Sequence, residues 1–482
     1  MTMDRSLKLY NSITKTKETF VPSRGNEVKM YICGPTVYDS PHIGHARTYV
    51  MFDVMRRVLS DYLKYDVRFV MNITDIDDKI ISRANVSGAS TEEITRKYTE
   101  EFFEDMEALN VRQPSFVTFV TSYVDKIVKF IEKLETNGFA YESGGSVYFD
   151  LEKYQEKHNY PLFKSKDGIN SEGAENKDKR GSWDFVLWKK SKENEPRYKS
   201  KWGYGRPGWH IECSVMSSDI LGGDLDIHAG GIDLAFPHHE NEIAQCQAYF
   251  MKEPWVRWFL HTGHLNIDGL KMSKSLKNFT TIKEALEMIS PRQLRVLFLY
   301  HQWNKDMSYE REHLKFAESI EKKIFNFMSI AESMRKNTLG FKTLEDVDRE
   351  VLEELKDVQE SIHAAILDNI DTPTVMRKVV EMINFTNIRI KGISPSTILV
   401  VKDYIKEIME MFGLSEGEAQ ASSKEDLVAQ MLSDFRESIR GMARRKEPYS
   451  NFFQKCDWVR EAIKDYGYII EDNNEGSILR KN

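Results

Sequence analysis

The sequence contains no apolar run long enough to cross a membrane. About 18 to 20 consecutive apolar residues are needed to span a bilayer, and polar or charged residues interrupt every hydrophobic segment of this chain. The start, from Met1 to Lys17, also lacks the apolar stretch of a secretory signal peptide. We therefore expect a cytoplasmic protein.

Cysteine is scarce, and an excess of basic residues is absent. The four cysteines (Cys33, Cys213, Cys246 and Cys456) lie far apart, which in a cytoplasmic chain favours free thiols or metal ligands over disulfides. With 75 acidic and 68 basic residues the net charge is −7, whereas nucleic-acid binding usually leaves a basic footprint. Any RNA-binding surface must therefore be local.

Proline and glycine are also few, with 13 and 26 residues, while 41% of the residues are hydrophobic and 30% are charged. This balance is typical of a globular protein and excludes a fibrous or largely disordered one. A chain of 482 residues is too long for one ordinary hydrophobic core, so we expect two to four domains.

A strand, a helix and a second strand follow one another near the start of the chain. Val28 to Ile32 alternates apolar and polar residues before the turn Cys33-Gly34-Pro35. Apolar residues at helical spacing then run from His45 to Leu63, and Asp66 to Ile73 has the pattern of a buried strand. This order predicts a parallel sheet.

The rest of the chain divides into an insertion, a return of the sheet and a helical region. Lys164 to Lys201 is polar and rich in lysine, which indicates part of an insertion, and strand-like pieces return at Leu225 to His228 and Trp258 to Leu265. Beyond about Glu312, apolar residues at helical spacing predict long amphipathic helices over 318–335, 344–367, 372–391 and 396–411, with two more helices over 427–468.

Two histidines lie where the first strand passes into its helix, within His42-Ile43-Gly44-His45. Open α/β sheets usually bind ligands at this place. Transfer of an adenylyl group builds negative charge on the α-phosphate and on pyrophosphate, and donors at a helix N-terminus stabilise such charge. Alone, this short motif fits a turn with two hydrogen-bonded histidines equally well.

A loop with two lysines, Lys271-Met272-Ser273-Lys274-Ser275, follows a predicted strand and turn far downstream. Its flexible cations could close over a triphosphate, although a lysine-serine loop by itself is usually an ordinary surface loop. Both motifs together, at opposite ends of one predicted nucleotide-binding domain, resemble the signature of class I aminoacyl-tRNA synthetases.

Four longer motifs narrow the resemblance to the cysteinyl-tRNA synthetases. They are Cys33-Gly34-Pro35-Thr36-Val37-Tyr38-Asp39, Asn72-Ile73-Thr74-Asp75-Ile76-Asp77-Asp78-Lys79, Gly205-Arg206-Pro207-Gly208-Trp209-His210-Ile211-Glu212-Cys213-Ser214 and Phe236-Pro237-His238-His239-Glu240-Asn241-Glu242. The resemblance is nearly continuous from Cys33 to Ser275, and the helical remainder is similar in kind to the tRNA-binding region of that family.

The resemblance implies an α/β fold and five segments. These are the first half of a Rossmann-type catalytic domain (1–112), a connective insertion (113–204), the second half of the catalytic domain (205–264), a connecting region with the lysine loop (265–315), and an all-helical anticodon-binding domain (316–482) whose polar tail we expect to be disordered. It also implies two-step catalysis, in which ATP and L-cysteine form cysteinyl-adenylate before transfer to tRNA(Cys), with Mg²⁺ accompanying ATP.

The resemblance also assigns site residues. It implies catalytic roles for His42, His45, Lys271 and Lys274, ATP contacts for His42, His45, Gly230, Gly231, Asp233 and Lys274, cysteine contacts for Gly34, Thr74 and Trp209, and one Zn²⁺ held by Cys33, Cys213, His238 and Glu242. Two positions depart from the family's adenosine-binding stretch, because Ala229 stands where glycine is expected and Ile232 where serine is common.

Ligand chemistry supports the zinc site independently but leaves alternatives. His238 and Glu242 are four residues apart, hence on one face of a helix, and zinc accepts Cys, His and carboxylate ligands. A lone buried cysteine is more often a small hydrophobe, however, and a His/Glu pair at this spacing is often a surface pair. Cys246 is an alternative thiolate, which we interpret as structural.

A zinc ion would explain how cysteine is distinguished from serine. A thiol, deprotonated on coordination, is a far better zinc ligand than a hydroxyl, whereas size exclusion separates close analogues by only about 10- to 200-fold. Editing would then be unnecessary, and the modest insertion leaves little room for an editing domain.

RNA contacts and rival functions complete the expectations. The basic stretch Arg436 to Lys446 fits either phosphate contact or a solvated helix face, and Lys189 to Lys201 could approach the acceptor end. One rival is an ATP-dependent ligase that gives activated cysteine to an amino sugar, against which the long helical region argues. An inactive tRNA-binding homologue should have lost motif residues, and a zinc hydrolase should contain His-Glu-x-x-His.

Overall fold

The computed structural model describes residues 6–164, 177–193, 195–267, 270–271, 279–336, 343–414, 424–473 and 476–481. The chain forms two compact units, Met1–Leu414 and Ser415–Asn482. Within the described ranges, no helix combines the length and apolar character required to cross a bilayer.

The first unit contains most of the strands and helices. Up to the end of the insertion, its elements are β1 (Lys8–Asn11), β2 (Thr16–Thr19), β3 (Glu27–Ile32), α1 (Ile43–Arg57), β4 (Asp66–Ile73), α2 (Asp78–Ser87), α3 (Thr91–Ala108), β5 (Phe116–Phe119), α4 (Val124–Thr136), β6 (Ala140–Ser143), β7 (Ser146–Phe149), α5 (Leu151–Gln155), β8 (Phe185–Lys190), β9 (Tyr198–Ser200) and β10 (Gly203–Pro207). They continue with α6 (Trp209–Leu221), β11 (Leu225–Gly231), α7 (Glu240–Phe250), β12 (Val256–Thr262), β13 (Leu265–Ile267), β14 (Leu270–Lys271), α8 (Ile282–Met288), α9 (Pro291–Leu299), β15 (Met307–Tyr309), α10 (Arg311–Lys336), α11 (Asp346–Leu367), α12 (Thr372–Arg389) and α13 (Pro395–Met411).

A five-stranded parallel sheet of order β12-β11-β3-β4-β5 lies at the centre of this unit. The predicted parallel sheet is therefore confirmed, as is its resumption after an insertion, since β11 and β12 join the sheet beside β3. In the register, Ile32 lies between Met71 and Ala229. The segments that follow β3, β4 and β11 consequently meet at one edge of the sheet, where α/β folds bind ligands.

A second sheet, of order β6-β7-β8-β10-β9, is antiparallel and interrupts the parallel one in the chain. Its strands lie between Ala140 and Pro207, whereas β5, which also falls in the predicted insertion, belongs to the parallel sheet. Gly208 then leads directly from β10 into α6. Helix α6 therefore begins where the second sheet ends in the chain.

Helix α1 begins at Ile43, immediately after the first histidine of its motif. The His42 side chain accepts a hydrogen bond from the His45 backbone N–H, and the His45 side chain accepts one from the His42 backbone N–H, at 3.3 Å each. This reciprocal cap satisfies two backbone donors that the helix itself leaves unpaired. Most of α1 is buried, so its N-terminus is fixed by packing as well as by the cap.

A buried arginine fastens α9 to α1. Arg295 and Asp53 form an ion pair in which both side chains are 1% exposed, and Asp53 also accepts from Arg57 Nε at 2.8 Å. Arg295 further donates to the carbonyl oxygens of Leu109, at 2.7 Å, and Phe412, at 3.1 Å. The Arg295 guanidinium therefore connects α9 with α1 and with the segments around Leu109 and Phe412.

The predicted C-terminal helices are confirmed, and they fall in both units. α10 to α13 share one hydrophobic core with the parallel sheet, whereas α14 (Lys424–Arg445) and α15 (Tyr449–Ala462) lie in the second unit. The polar tail was expected to be disordered but forms an antiparallel hairpin of β16 (Tyr468–Asn473) and β17 (Gly476–Lys481). Isoleucine, which favours strands, occurs in both strands of the hairpin.

Candidate active site and metal centre

A cavity of about 390 Å³ opens at the edge of the parallel sheet. The sequence-predicted residues that line it are Cys33, Gly34, His42, His45, Thr74, Trp209, Cys213, Gly231, Asp233 and His238. They come from the ends of β3, β4 and β11, from the starts of α1 and α6, and from the turn before α7. The cavity is therefore lined by residues that are far apart in the chain: Cys33 and His238 are separated by 205 positions.

The four residues predicted as metal ligands lie together at the base of this region. Cys33, Cys213, His238 and Glu242 are buried, and their ligand atoms all lie within 4.8 Å of one another. The two sulfur atoms are 3.6 Å apart, and Glu242 Oε1 is 3.8 Å from Cys33 Sγ and 3.2 Å from His238 Nε2. The donors come from separate elements, so they lie together only in the folded chain.

The electrostatics of this cluster favour a bound cation. Burial raises the pKa of Cys33 well above its ordinary value, and it also raises the pKa of Glu242. Burial lowers the pKa of His238 well below its usual range. All three shifts favour the neutral forms, and a divalent ion would oppose this for the thiol and the carboxylate by compensating their negative charge.

Sequence reasoning missed two buried histidines that also contact the cluster. His239 Nε2 lies 3.3 Å from Cys33 Sγ, and His228 Nε2 lies 2.9 Å from Glu242 Oε2. With Cys33 and Glu242 they form a second group of possible ligands. The available signals were that His239 sits next to the predicted ligand His238 and that His228 lies between Ile227 and Ala229 in the predicted adenosine-binding stretch.

The ring nitrogens that face away from the cluster are held by further histidines. His238 Nδ1 lies 3.1 Å from His210 Nδ1, and His239 Nδ1 lies 2.7 Å from His261 Nε2. A hydrogen bond at one ring nitrogen fixes which nitrogen is left to bind a metal.

Cys246 belongs to neither group of possible ligands. Its sulfur lies 3.9 Å from Ser218 Oγ.

Trp209 and His42 are arranged to meet a ligand. Trp209 is 39% exposed and stacks on the ring of His238, with 4.5 Å between the ring centroids, so it covers one face of a predicted ligand. The rings of His42 and His45 stack at 3.7 Å at the N-terminus of α1. The site thus has an aromatic and sulfur-rich end and an imidazole end.

The segment after the predicted lysine loop contacts the histidine motif through the backbone. Ile43 N–H donates to the carbonyl of Thr280, and Ile282 N–H donates to the carbonyl of Pro41, at 3.1 Å each. The segment that follows the lysine loop is therefore joined to the histidine motif. Lys271 lies in β14, and Lys274 lies outside the described residues.

The two glycines of the predicted adenosine-binding stretch serve different purposes. A Cβ atom on Gly230 would lie 2.9 Å from Leu234 Cδ1 and 3.0 Å from His239 Cε1, so a side chain there would have to displace one of these groups. A Cβ atom on Gly231 would have its nearest neighbour at 3.9 Å. Gly231 and Asp233 both line the cavity.

Comparison with known proteins decides the family. Residues 19–319 match the family model described as the tRNA synthetases class I (C) catalytic domain. A cysteine–tRNA ligase of Encephalitozoon cuniculi is 82% identical over 99% of this chain and 100% of its own length. This chain belongs to the cysteinyl-tRNA synthetases. It is a class I enzyme that uses ATP to attach L-cysteine to tRNA(Cys).

More distant proteins agree with this assignment. The cytoplasmic cysteine–tRNA ligase of Dictyostelium discoideum is 40% identical to the synthetase, over 99% of this chain and 78% of the relative. A methionyl-tRNA synthetase of Mycobacterium tuberculosis, solved with methionyl-adenylate, superposes with a TM-score of 0.60 at 16% identity, over 80% of this chain and 89% of the other. The latter likeness supports the class I fold alone.

Proposed function

We propose that the synthetase recognises L-cysteine through one zinc ion held by Cys33, Cys213, His238 and Glu242. The observation that carries the proposal is the burial of these four donors, with ligand atoms within 4.8 Å of one another, beside a cavity lined by the class I histidines. Two thiolates with an imidazole and a carboxylate form a donor set that zinc accepts. The residues therefore fit the ion.

The second group of possible ligands is better suited to supporting the first. His228 bonds the Glu242 oxygen opposite the one near His238, and His239 is in turn held by His261. The first group differs from the second by containing Cys213 and His238, and it therefore has two soft sulfur donors. Such donors favour zinc over magnesium or calcium. His228 then orients the ligand carboxylate, as partners of metal ligands commonly do.

The bound zinc would supply a ligand position that prefers a thiolate to a hydroxyl. The chain's own residues would shape the surroundings of the substrate. Trp209 forms a wall of the amino-acid pocket, and Gly34 and Thr74 lie at its polar side. Since serine differs from cysteine by one atom, this chemical preference would remove the need for editing.

The imidazole end of the cavity would bind ATP with Mg²⁺. An oxygen of the cysteine carboxylate attacks the α-phosphorus as its bond to pyrophosphate breaks. His42, His45 and the N-terminus of α1 would stabilise the charge that develops there, together with Lys271 and Lys274 of the loop. Gly230, Gly231 and Asp233 would hold the adenosine. The terminal ribose hydroxyl of tRNA then attacks the adenylate carbonyl, and AMP leaves.

The second unit is suited to contact with tRNA. Basic residues recur along α14 and just after it, at Arg436, Arg440, Arg444, Arg445 and Lys446. Tyr449 and Phe453 on α15 are 85% and 69% exposed, and exposed aromatic rings stack on unpaired bases. Anticodon recognition by this unit is therefore the proposed role, as part of the predicted domain 316–482.

Ion pairs of its lysines argue in part against contact between the insertion and the acceptor end of tRNA. Lys189 pairs with Asp78, and Lys201 pairs with Glu135, at 2.7 Å each. Each ion pair partly neutralises its lysine, which leaves less positive charge for phosphate. We also propose that the synthetase works in the cytoplasm, because the D. discoideum relative is named as a cytoplasmic enzyme.

The zinc proposal can be tested by cysteine-dependent exchange of labelled pyrophosphate into ATP. Chelator-treated, refilled and untreated enzyme should be compared, with serine as the control substrate, and each sample should then be tested for charging of total tRNA. We expect exchange with cysteine alone, lost with the metal and restored by zinc. Full cysteine-dependent exchange by metal-free enzyme would contradict the proposal.

A further inference from the structure

A buried arginine of α1 donates hydrogen bonds to four carbonyl oxygens. Arg47 is 1% exposed. Its Nη1 donates to the carbonyls of Gly263, at 2.9 Å, and His264, at 2.5 Å. Its Nη2 donates to the carbonyls of Gln302, at 3.4 Å, and Lys305. One guanidinium therefore joins α1 to the turn between β12 and β13 and to the segment before β15.

Carbonyl oxygens, rather than a carboxylate, hold the charge of Arg47 in the part of the chain that the structure describes. Burial lowers the pKa of Arg47 to about 10, which the charge of Asp306 opposes, so the guanidinium stays protonated at neutral pH. Burying a charge is costly unless its donors are satisfied. The four carbonyls must therefore keep their places around this side chain.

The turn between β12 and β13 is held on its other side as well. His264 N–H donates to Asp306 Oδ1, at 2.8 Å, and Gly263 N–H donates to the Trp303 carbonyl, at 3.1 Å. A Cβ atom on Gly263 would lie 2.3 Å from the Lys305 carbonyl carbon, so this close approach needs glycine. The position of the turn is thus set by α1 and by the segment before β15 together.

This turn forms part of the cavity wall near Asp233. Gly263, His264 and Leu265 line the cavity, and His264 Nδ1 lies 3.5 Å from Asp233 Oδ2. Asp233 is among the residues proposed to hold adenosine, whereas Arg47 is not among the described residues that line the cavity. A shift of the turn would therefore change the space for the nucleotide without any loss of direct contact.

We infer that Arg47 is a positioning residue for the adenosine part of ATP, and that it acts through the backbone of Gly263 and His264. The inference rests on the proposed binding of adenosine beside Asp233. A misplacement of about 1 Å can cost about 100-fold in rate, so loss of these hydrogen bonds should weaken the use of ATP. The proposed cysteine pocket around Trp209 is built from other elements and should not be affected.

The Arg47→Lys variant tests the inference in the full-length, zinc-loaded enzyme. Lysine keeps the charge but lacks the planar fork that reaches both segments. In cysteine-dependent pyrophosphate exchange, the KM for ATP should rise at least about 10-fold, while the KM for cysteine stays within about 2-fold. Zinc content should not change.

Two competitive inhibitors against ATP separate the ends of the nucleotide in the same assay. In Arg47→Lys the Ki of adenosine should rise at least about 10-fold, and the Ki of tripolyphosphate should stay within about 2-fold. Gly263→Ala displaces the same turn from its other side with Arg47 intact. It should give the same selective rise, and it serves the comparison if the lysine variant does not fold.

Arg57 supplies a matched control, because it is a second buried arginine of α1. It pairs with Asp53 and donates to the Asn110 carbonyl, at 2.8 Å each, and it is not among the described residues that line the cavity. Arg57→Lys should lower the melting temperature and leave the KM for ATP and both Ki values unchanged. A merely structural role of Arg47 would give this same pattern in Arg47→Lys.

The remaining outcomes also decide the question. An unchanged Ki of adenosine in Arg47→Lys, an equal rise for adenosine and tripolyphosphate, or an equal rise in the KM for cysteine would overturn the inference. Asp233→Ala tests the proposed adenosine site separately. If only Arg47→Lys raises the Ki of adenosine, the proposed contact with Asp233 falls and the role of Arg47 stands. If neither variant raises it, both fall.

Discussion

Glu242 Oε2 lies 2.9 Å from His228 Nε2, and neither side chain has any exposed surface. The other carboxylate oxygen of Glu242 faces His238, at 3.2 Å. In the proposed zinc site, a ligand carboxylate whose second oxygen is held in this way would be kept from rotating away from the ion. We therefore expect the histidine to contribute to metal affinity without being a ligand.

Replacing His228 should weaken metal retention. In His228→Phe the ring shape is kept and the hydrogen bond to Glu242 is lost, and loss of such a partner typically costs about 10- to 100-fold in affinity. Zinc content after dialysis against graded chelator concentrations measures the effect. His363→Phe is the matched control, because His363 bonds Tyr62 and belongs to neither group of possible ligands. Unchanged zinc retention in His228→Phe would contradict this role.

The two buried cysteines of α6 and α7 should behave differently. Cys213→Ser removes a proposed ligand and should lose zinc together with at least about 100-fold in cysteine-dependent exchange. Cys246→Ser changes a thiol that belongs to neither group of possible ligands and should keep the metal. Zinc analysis and exchange assays on both variants check this. Equal zinc content in both would argue against Cys213 as a ligand.

The sequence predicts which four candidate ligands come together better than the network around them. Cys33, Cys213, His238 and Glu242 stand in motifs whose resemblance is specific, and β4 has the predicted bounds because valine, phenylalanine and isoleucine recur along it. The contact of His228 with Glu242 depends on how β11 lies against α7, which no local pattern reveals. The contact of Thr74 with Glu212 likewise joins residues that lie 138 positions apart.

The buried Arg295 should be essential for stability. Arg295→Ala leaves Asp53 buried with only Arg57 as a charged partner and removes donors from three carbonyl groups, and breaking a buried pair costs about 3 to 5 kcal/mol. Urea unfolding of the first unit, followed by tryptophan fluorescence, measures the change. Lys356→Ala disrupts the exposed Lys356–Glu360 pair and should change stability by less than about 1 kcal/mol. A similar small loss in Arg295→Ala would contradict the account.

Asp105 should make the fold less stable at higher pH. Burial raises its pKa to about 7, while Lys283 on α8 lowers it and Glu101 and Glu104 raise it. An unfolded aspartate releases its proton near pH 4. The folded chain therefore holds the extra proton between about pH 4 and 7, and stability falls as the pH rises through this window.

Asp105→Asn should remove this dependence, because the amide does not ionise. We expect the melting temperature of the variant to be about 1 to 3 °C higher than that of wild type at pH 8. Its melting temperature should also change less with pH between 4 and 7. Asp457→Asn, at an exposed position, is the control. A wild-type slope in Asp105→Asn would show that other groups cause it.

The exposed rings of α15 should affect charging but not activation. Tyr449→Ala and Phe453→Ala remove surfaces proposed to stack on unpaired bases, and each stacking contact contributes about 1 to 3 kcal/mol. The KM for tRNA(Cys) should rise at least about 5-fold, while cysteine-dependent pyrophosphate exchange stays unchanged. Val400→Ala, which shortens a side chain that is 49% exposed on α13, is the control. Equal losses in exchange and charging would contradict the tRNA role.

X-ray absorption at the zinc edge tests the central claim most directly, because it counts the sulfur neighbours of the metal. For the purified enzyme we predict two sulfur neighbours, from Cys33 and Cys213, and three after saturation with L-cysteine, with no change on adding L-serine. A sulfur count that stays at two in the presence of saturating cysteine would contradict recognition of the substrate thiol by zinc.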